Sequence, residues 1–145
     1  MEHRRISDHN KGLMQRFYDE VVNEGNLNVI DELLSETFVE HEEFPGLPPT
    51  REGVKLLFAA ARDAFADFRM DAWQYVEEGD LVVAWVRMTG THRGEFMGIP
   101  ASGNAIDLPL VDMARARDGR FVEHWGISDT MLMLQQLGAI PAPPG

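Results

Sequence analysis

The stretch from residue 106 to residue 127 reads IDLPLVDMARARDGRFVEHWGI. Both halves are rich in apolar residues, and Asp118-Gly119 between them is a dipeptide typical of tight hairpin turns. The pattern predicts two antiparallel strands, roughly Ile106–Ala116 and Phe121–Ile127. A chain with this hairpin contains an antiparallel sheet, and the rest of the chain has to supply the layer that covers it.

The preceding sequence predicts a second hairpin. Its strands, Phe68–Val76 and Leu81–His92, are rich in β-branched and aromatic residues, and Glu78-Gly79-Asp80 separates them. A loop with three glycines, Gly94–Gly103, joins this hairpin to the last one. Four strands therefore follow one another in the second half of the chain.

Helical periodicity dominates the first half of the chain. From Ser7 onward, apolar residues recur at three- and four-residue spacing up to Gly25, where this helix is expected to end. Asn26 is a plausible N-cap of a short second helix, and Thr50 of a third. A strand over Thr37–Glu42 is predicted between these two helices.

The order of these elements predicts the fold class. Helices with one early strand precede the two hairpins, and a short helix, Asp129–Leu137, follows them. This segregation favours an α+β fold in which a curved, mostly antiparallel sheet packs on three to four helices. Such a sheet leaves a pocket between the two layers, which is a common position for a small-molecule site.

Length and composition restrict the classes of protein. The 145 residues predict one domain, 1–145, with flexible tails at 1–6 and 139–145. A net charge of -11 disfavours nucleic acid and anionic membranes as partners. The chain has no cysteine, which excludes disulfides and Cys-ligated metals, and it has no apolar stretch of bilayer length. We expect a soluble, cytoplasmic protein.

Asp112 is the most informative polar residue. Strand alternation puts it on a face that has no other charge and that it shares with Leu108, Leu110, Ala114 and Ala116. A carboxylate in such surroundings is costly unless it gains a partner or a proton, and both outcomes suit a general acid or base. The alternative is an aspartate that satisfies backbone N–H groups at an irregularity of the sheet.

Glu40 and His41 lie at the end of the first predicted strand. Only one of them can point into the pocket, because neighbours on a strand face opposite ways. His41 is of the residue type whose pKa suits proton transfer near neutrality, whereas Glu40 could join Asp112 as a second carboxylate. The sequence leaves this choice open, and it also allows that neither residue does more than contact solvent and the following turn.

His124 is a third candidate for proton transfer or for substrate orientation. By alternation it shares a face with Val122 and Gly126, but a bulge at the glycine would change which residues face the pocket. A hydrogen-bonded structural histidine is the alternative. Asp129 either contributes to substrate binding or caps the last helix.

Aromatic residues and methionines are the expected pocket walls, although ordinary core packing uses the same residue types. The candidates are Phe17, Phe38, Phe58, Trp73, Met88, Met97, Met113 and Trp125. No His-x-x-x-His or Glu-x-x-His pair occurs at helical spacing, so no metal site is predicted. Gly94–Gly103 lacks a phosphate-binding pattern, so no nucleotide cofactor is predicted either.

Four stretches of the chain resemble the SnoaL-like polyketide cyclase family. They are Phe38–His41, Gly90–Pro100, Arg117–Trp125 and Gln135–Gly138, and the likeness extends from about Asn10 to Ala139. The resemblance implies an NTF2-like, cone-shaped α+β fold and homodimers formed through the outer face of the sheet. It also implies ring closure of a polyketide in antibiotic biosynthesis, by acid/base chemistry without a cofactor or metal.

The resemblance also marks departures at single positions. The family's catalytic aspartate falls on Gly126, its pocket histidine on Asp112, and an asparagine of its first strand on Glu40. The resemblance therefore implies that the acidic group of this protein is Asp112, across the pocket from position 126, where the family has its aspartate. In this hypothesis Asp112 exchanges a proton with the substrate, Glu40 or His41 holds a carbonyl, and His124 orients the substrate.

Three functions are open at this point. The first is a cofactor-independent cyclase that acts on a small hydrophobic, polyketide-like molecule. The second is an enzyme that opens epoxides or forms pyrans with Glu40 and Asp112 as a carboxylate pair, and the orientation of Glu40 and His41 discriminates between these two. The third is a non-catalytic binding protein, which the absence of an acid at Gly126 favours.

Overall fold

The computed structural model describes residues 10–142 and contains ten helical and strand segments. In chain order these are α1 (residues 10–16, continued by the π-helix Phe17–Asn23), the 3₁₀ turn Leu27–Val29, α2 (Ile30–Leu33), β1 (Leu34–Glu40), α3 (Arg51–Ala64), β2 (Phe65–Glu78), β3 (Leu81–His92), β4 (Ala105–Arg117), β5 (Arg120–Ser128) and α4 (Thr130–Gln136). The predicted tail 1–6 and residues 143–145 of the other tail lie outside the described residues.

Helix α1 ends where the sequence predicts, but its geometry differs from a regular α-helix. Tyr18, Val21 and Val22 are buried as expected, yet they belong to a π-helical turn, a rare form that is often found at functional sites. Gly25 follows with φ 78°, and its lack of a side chain leaves room for the Arg62 guanidinium, which donates to the Val22 carbonyl at 2.6 Å.

Helix α3 begins as predicted. Thr50 is the N-cap, and its hydroxyl accepts a hydrogen bond from the backbone N–H of Gly53 at 3.3 Å. By contrast, Asn26 makes no side-chain cap at the start of the second helical segment. Helix α3 ends at Ala64 and β2 starts directly at Phe65, so this strand begins earlier than the sequence pattern indicated.

The five strands form one sheet in the order β1-β5-β4-β3-β2. All neighbouring pairs are antiparallel except β1 and β5, which are parallel. Both predicted hairpins are present, and Asp118 and Gly119 have φ values of 53° and 78°, as a turn that follows the twist of the strands requires. Helices cover the inner face of this sheet, so the expected α+β NTF2-like cone is confirmed.

A bulge in β5 decides which residues face the interior. Ala116 pairs with Phe121 whereas Arg115 pairs with Glu123, so Val122 is an extra residue on β5. Beyond the bulge the alternation is shifted by one position, and both Phe121 and His124 therefore face inward. Strand β5 therefore does contain a bulge, at Val122 and not at Gly126.

None of the helices within residues 10–142 is long and apolar enough to cross a membrane.

Candidate active site

A cavity of about 410 Å³ lies between the helices and the inner face of the sheet. Its walls are mostly apolar side chains from all layers of the fold, including Met14, Phe17, Phe38, Phe58, Phe65, Met70, Met88, Phe96 and Met97. The polar groups that reach it include Tyr18, Glu40, Glu42, Asp112 and His124. A ligand in this cavity would meet a concentrated group of acids and donors within apolar surroundings.

His124 is the centre of a hydrogen-bonded chain of four side chains. Its Nε2 lies 2.8 Å from Asp112 Oδ1, and its Nδ1 lies 2.5 Å from Glu40 Oε1. The hydroxyl of Tyr18 donates to the second oxygen of Asp112, Oδ2, at 2.6 Å. We call these four side chains the His124 network.

Strand pairing positions three members of the His124 network. Glu40 on β1 is the direct partner of His124 on β5, and Asp112 on β4 is the partner of Gly126, two residues further along β5. Since Asp112 and His124 are diagonal neighbours on one face, their side chains can meet. Tyr18 reaches the same point from α1, where it lies in the π-helical turn.

The network holds His124 as an imidazolium. Burial lowers the pKa of His124, but the hydrogen bonds to Asp112 and Glu40 and the charges of these two carboxylates outweigh burial and raise it to about 10. Both ring nitrogens therefore donate, one to each carboxylate. Burial and the adjacent Asp112 carboxylate raise the pKa of Tyr18 well above its usual value, so Tyr18 stays a hydrogen-bond donor near neutral pH.

Glu42 brings a third carboxylate to the His124 network. Its backbone N–H donates to Glu40 Oε1 at 3.1 Å, and its side chain turns into the cavity over Gly126. A Cβ atom on Gly126 would overlap Glu42 Oε1, so the missing side chain at position 126 provides the space that Glu42 occupies. Within residues 10–142, no donor forms a hydrogen bond with this carboxylate.

The surroundings of Glu42 favour its protonated form. Burial is the largest effect; the His124 charge opposes it, and the Asp112 and Glu40 charges add to it. Together they raise the pKa of Glu42 to about 7. Glu42 is therefore a cavity carboxyl group that changes its charge near neutral pH.

Possible metal ligands gather at the same place, because side-chain ligand atoms of Glu40, Glu42 and His124 lie within 4.8 Å of one another. A metal needs a neutral imidazole with a free lone pair. Both ring nitrogens of His124 are instead bonded to carboxylates, and its raised pKa keeps it protonated. The arrangement fits an imidazolium between two carboxylates better than a metal centre.

The structure resolves the choice between Glu40 and His41. Glu40 points into the cavity, whereas His41 lies on the outer side, where its Nε2 is 2.9 Å from Glu123 Oε2. The His41 ring also stacks on Trp125 at 4.8 Å between centroids. The hypothesis that His41 holds a substrate carbonyl in this cavity is therefore corrected: His41 directly follows β1, and its side chain points to the opposite side from that of Glu40.

The expected wall residues divide into two groups. Phe17, Phe38, Phe58, Met88 and Met97 line the cavity. Trp73, Met113 and Trp125 do not: Trp73 packs against Trp85 on the exposed face of the sheet, and Met113 pairs with Trp125 on that same outer face. Asp129 is the N-cap of α4 and accepts from the Leu132 N–H at 2.9 Å, so the capping alternative is correct.

Sequence reasoning missed Tyr18 and Glu42. Tyr18 lies in the apolar stripe of α1, a pattern typical of core residues, although its hydroxyl needs a partner when buried. Glu42 is the last residue of the predicted first strand, next to two other polar residues, and nothing local distinguishes it from a solvated acid; the observed strand β1 ends two residues earlier, at Glu40. The available signal was the glycine at position 126, which leaves space for a side chain from elsewhere.

Most of the described chain matches the model of a known protein family. The model of the family described as SnoaL-like polyketide cyclase matches residues 12–137 of the chain. A comparison with the curated proteins finds no match.

Solved structures are also similar to this chain. TsrD from Streptomyces laurentii is 28% identical, with a TM-score of 0.84, 92% of this chain covered and 97% of that one. IdmH from Streptomyces antibioticus, provisionally named a polyketide cyclase, is 36% identical, with a TM-score of 0.76. The match covers 89% of this chain and 98% of IdmH. AclR from Streptomyces galilaeus, provisionally named a hydroxylase, is 28% identical, with a TM-score of 0.81. The match covers 95% of this chain and 86% of AclR.

Proposed function

Because this chain belongs to the SnoaL-like polyketide cyclase family, we propose that it closes a ring within a neutral, polyketide-like molecule by acid/base catalysis in the 410 Å³ cavity. The observation that carries the proposal is the His124 network, which places ionisable groups at a defined spot in an otherwise apolar cavity. Apolar walls suit a hydrophobic substrate. The carboxylates disfavour a substrate that is itself negatively charged.

Asp112 is the proposed base. It takes a proton from a carbon next to a carbonyl group, and the electron pair of that C–H bond forms an enolate. The enolate carbon then bonds to a second carbonyl carbon of the same chain, and the resulting alkoxide takes up a proton. The product is an isomer of the substrate, because one proton leaves and one proton is returned.

The cavity contributes by holding the chain in a folded shape. Bringing two carbons of one flexible molecule into contact removes much of the entropic part of the barrier, and well-oriented intramolecular reactions gain about 7–11 kcal/mol in this way. The aromatic and methionine walls can supply this positioning without directional bonds.

The test uses the methyl ester of a linear poly-β-ketone as substrate and detects a cyclic isomer of equal mass by chromatography and mass spectrometry. Asp112→Asn and Asp112→Ala should lower turnover about 100-fold or more while ester binding changes little. Asp107→Asn is the matched control, because Asp107 lies on the same strand but is exposed and paired with Arg87. Retained turnover with weakened binding would contradict catalysis by Asp112.

One observation favours a second candidate function. Glu40 and Asp112 both face the cavity, and they are bridged by His124. Such a carboxylate pair could activate a hydroxyl group or water for pyran formation or epoxide opening. An epoxy alcohol separates these reactions by mass, since intramolecular opening gives an isomer and hydrolysis adds one water. Tight binding with no conversion of either substrate would indicate a non-catalytic binding protein.

We also propose that the outer face of the sheet joins two copies of the chain. Trp85, Val111 and Ile127 are exposed cross-strand neighbours on β3, β4 and β5, and Trp73 packs beside Trp85. Contiguous exposed apolar surface is typical of an interaction site. Light scattering should give the mass of a dimer, and Trp85→Glu should shift it toward the monomer.

A further inference from the structure

We propose that Glu42 is the general acid of this site, the group that delivers a proton to the substrate oxygen. The inference rests on the proposed function and adds to it a residue with a defined role. It is carried by three features of the structure: the position of the Glu42 carboxylate, its freedom from donors, and its place between two cavities.

Position is the first feature. The Glu42 side chain leaves the segment after β1 and lies over Gly126, which is the direct strand partner of Asp112. Any larger residue at position 126 would displace the carboxylate, because a Cβ atom there would overlap Glu42 Oε1, and the same atom would lie 2.9 Å from His124 Cε1. The glycine thus allows an acid from the segment after β1 to stand beside the proposed base.

Freedom from donors is the second feature. Asp112 accepts hydrogen bonds on both of its oxygens, from Tyr18 and from His124. Glu40 Oε1 accepts from His124 and from the Glu42 backbone N–H. Within the described part of the chain, no donor forms a hydrogen bond with the Glu42 carboxylate, so it can carry a proton and direct it toward a ligand.

The charges around Glu42 make it the proton carrier. It faces Glu40 on β1, Asp112 on β4 and His124 on β5, while Tyr18 from α1 reaches the same group through Asp112. With His124 positive and two carboxylates negative, an ionised Glu42 would add a third negative charge. Two carboxyl groups in one cavity with different protonation states are the usual arrangement of an acid and a base.

Asp112 takes the proton of the C–H bond, and the carbonyl oxygen that becomes negative takes the proton of Glu42, whose O–H bond breaks. Asp112 ends protonated and Glu42 ends ionised. One proton then has to pass from Asp112 to Glu42, through the site or through solvent, before the next turnover.

A second cavity provides the third feature. It has a volume of about 580 Å³ and is lined by the proline-containing loop and by four titratable residues, Glu40, His41, Glu42 and Glu43. Glu42 borders this cavity as well as the apolar one. Its carboxylate can therefore regain a proton from the side that the substrate does not occupy.

The test measures proton chemistry with a probe that does not depend on the natural substrate. The probe is 2-tetralone, a neutral aromatic ketone, whose exchange of C–H hydrogens for deuterium in D₂O is followed by NMR. Removal of the hydrogen by Asp112 with donation by Glu42 gives the enol, and reversal with deuterons gives the exchanged ketone. Exchange by the natural chain should decline above about pH 7, where Glu42 loses its proton.

Glu42→Gln should lower the exchange rate about 100-fold at pH 6 and abolish the decline above pH 7, because an amide cannot donate a proton. Glu36→Gln is the matched control, since Glu36 is an exposed acid on β1 that lies outside both cavities. Full exchange by Glu42→Gln with an unchanged pH profile would overturn the inference. Loss of exchange in Asp112→Asn in the same experiment would still support the proposed function.

A relocation experiment tests the position. Gly126→Ala should lower exchange by displacing the Glu42 carboxylate and by crowding Cε1 of His124, although no acid is removed. Combining Glu42→Ala with Gly126→Asp places a carboxylate in the vacated space from β5 and should restore part of the exchange that Glu42→Ala loses. An inactive double variant that still binds 2-tetralone, together with a fully active Gly126→Ala, would overturn the inference. If the natural chain binds 2-tetralone and exchanges nothing, the proposed function fails as well.

Discussion

Strands β1 and β5 build the same pair of residues twice, once on each face of the sheet. On the inner face Glu40 meets His124, and on the outer face His41 meets Glu123. The exposed fractions of the side chains are 18% for His124 and 9% for Glu40, but 37% for His41 and 32% for Glu123. Each pair consists of one glutamate and one histidine. In the inner pair the histidine comes from β5, and in the outer pair the glutamate does. The two pairs therefore differ chiefly in their surroundings.

This difference shows what distinguishes an exposed His–Glu contact from one that can take part in chemistry. The inner pair has a second carboxylate, Asp112, on the other nitrogen of the imidazole, and its side chains are largely buried among apolar walls. The outer pair is stacked on Trp125 and shares Glu123 with Arg115. Charges interact more strongly where water is scarce, so the inner pair should dominate both stability and chemistry.

The largest expected effect comes from removing His124. His124→Ala leaves Asp112 and Glu40 without their shared positive charge, and loss of one partner of a buried pair typically costs about 3–5 kcal/mol. Urea unfolding at pH 7 measures the free energy of unfolding. His124→Gln, which keeps a donor but no charge, should fall between Ala and the natural chain. If both variants unfold like the natural chain, the inner pair is no stronger than the outer one.

Tyr18→Phe should have the next largest effect. It removes the donor to Asp112 Oδ2, and a hydrogen bond to a charged group contributes about 1.5–3 kcal/mol. Tyr75→Phe is the control, because Tyr75 lies 6.4 Å from Tyr18 between ring centroids and, within residues 10–142, its hydroxyl forms no hydrogen bond. Equal losses of stability in the two variants would show that the Tyr18 hydroxyl adds nothing to the inner site.

A smaller effect, with a definite dependence on pH, is expected at Glu42. The pKa of Glu42 is about 7 in the folded state and 4.5 in the unfolded chain, so between these pH values the folded state binds a proton that the unfolded chain has released. Glu42 therefore lowers the free energy of unfolding progressively as the pH rises from 4.5 to 7. Glu42→Gln should therefore stabilise the protein at pH 8 by about 1–2 kcal/mol, allowing for partial solvent screening, and should be neutral at pH 4. Denaturation at both pH values checks the sign. Stabilisation that is equal at pH 4 and pH 8 would contradict the assigned ionisation.

The smallest effect is expected on the outer face. His41→Ala should change the free energy of unfolding by less than about 1 kcal/mol, because interactions between exposed polar side chains contribute little. Urea unfolding measures it. A loss as large as that of His124→Ala would mean that stacking on Trp125, and not burial, sets the strength of these pairs.

Sequence patterns recovered the parts of the site that depend on one strand alone. The face on which Asp112 lies follows from alternation in β4, where Leu108, Leu110, Ala114 and Ala116 are all buried. The same reasoning was insufficient for His124, because the extra residue at Val122 interrupts the alternation in β5. It placed Trp73 among the pocket walls, although its side chain lies on the outer face of the sheet beside Trp85.

The sequence by itself determined the hairpins, the Thr50 cap, the order of helix and strand, and the inward face of Asp112, since each depends on residues that are near neighbours in the chain. Only the tertiary structure decided which groups meet that carboxylate. Tyr18 is separated from Asp112 by 94 positions, and Glu42 reaches its place only because Gly126 lies opposite. Periodicity reports which face a residue occupies, whereas its partner, and hence its charge, depends on packing between elements that no local pattern encodes.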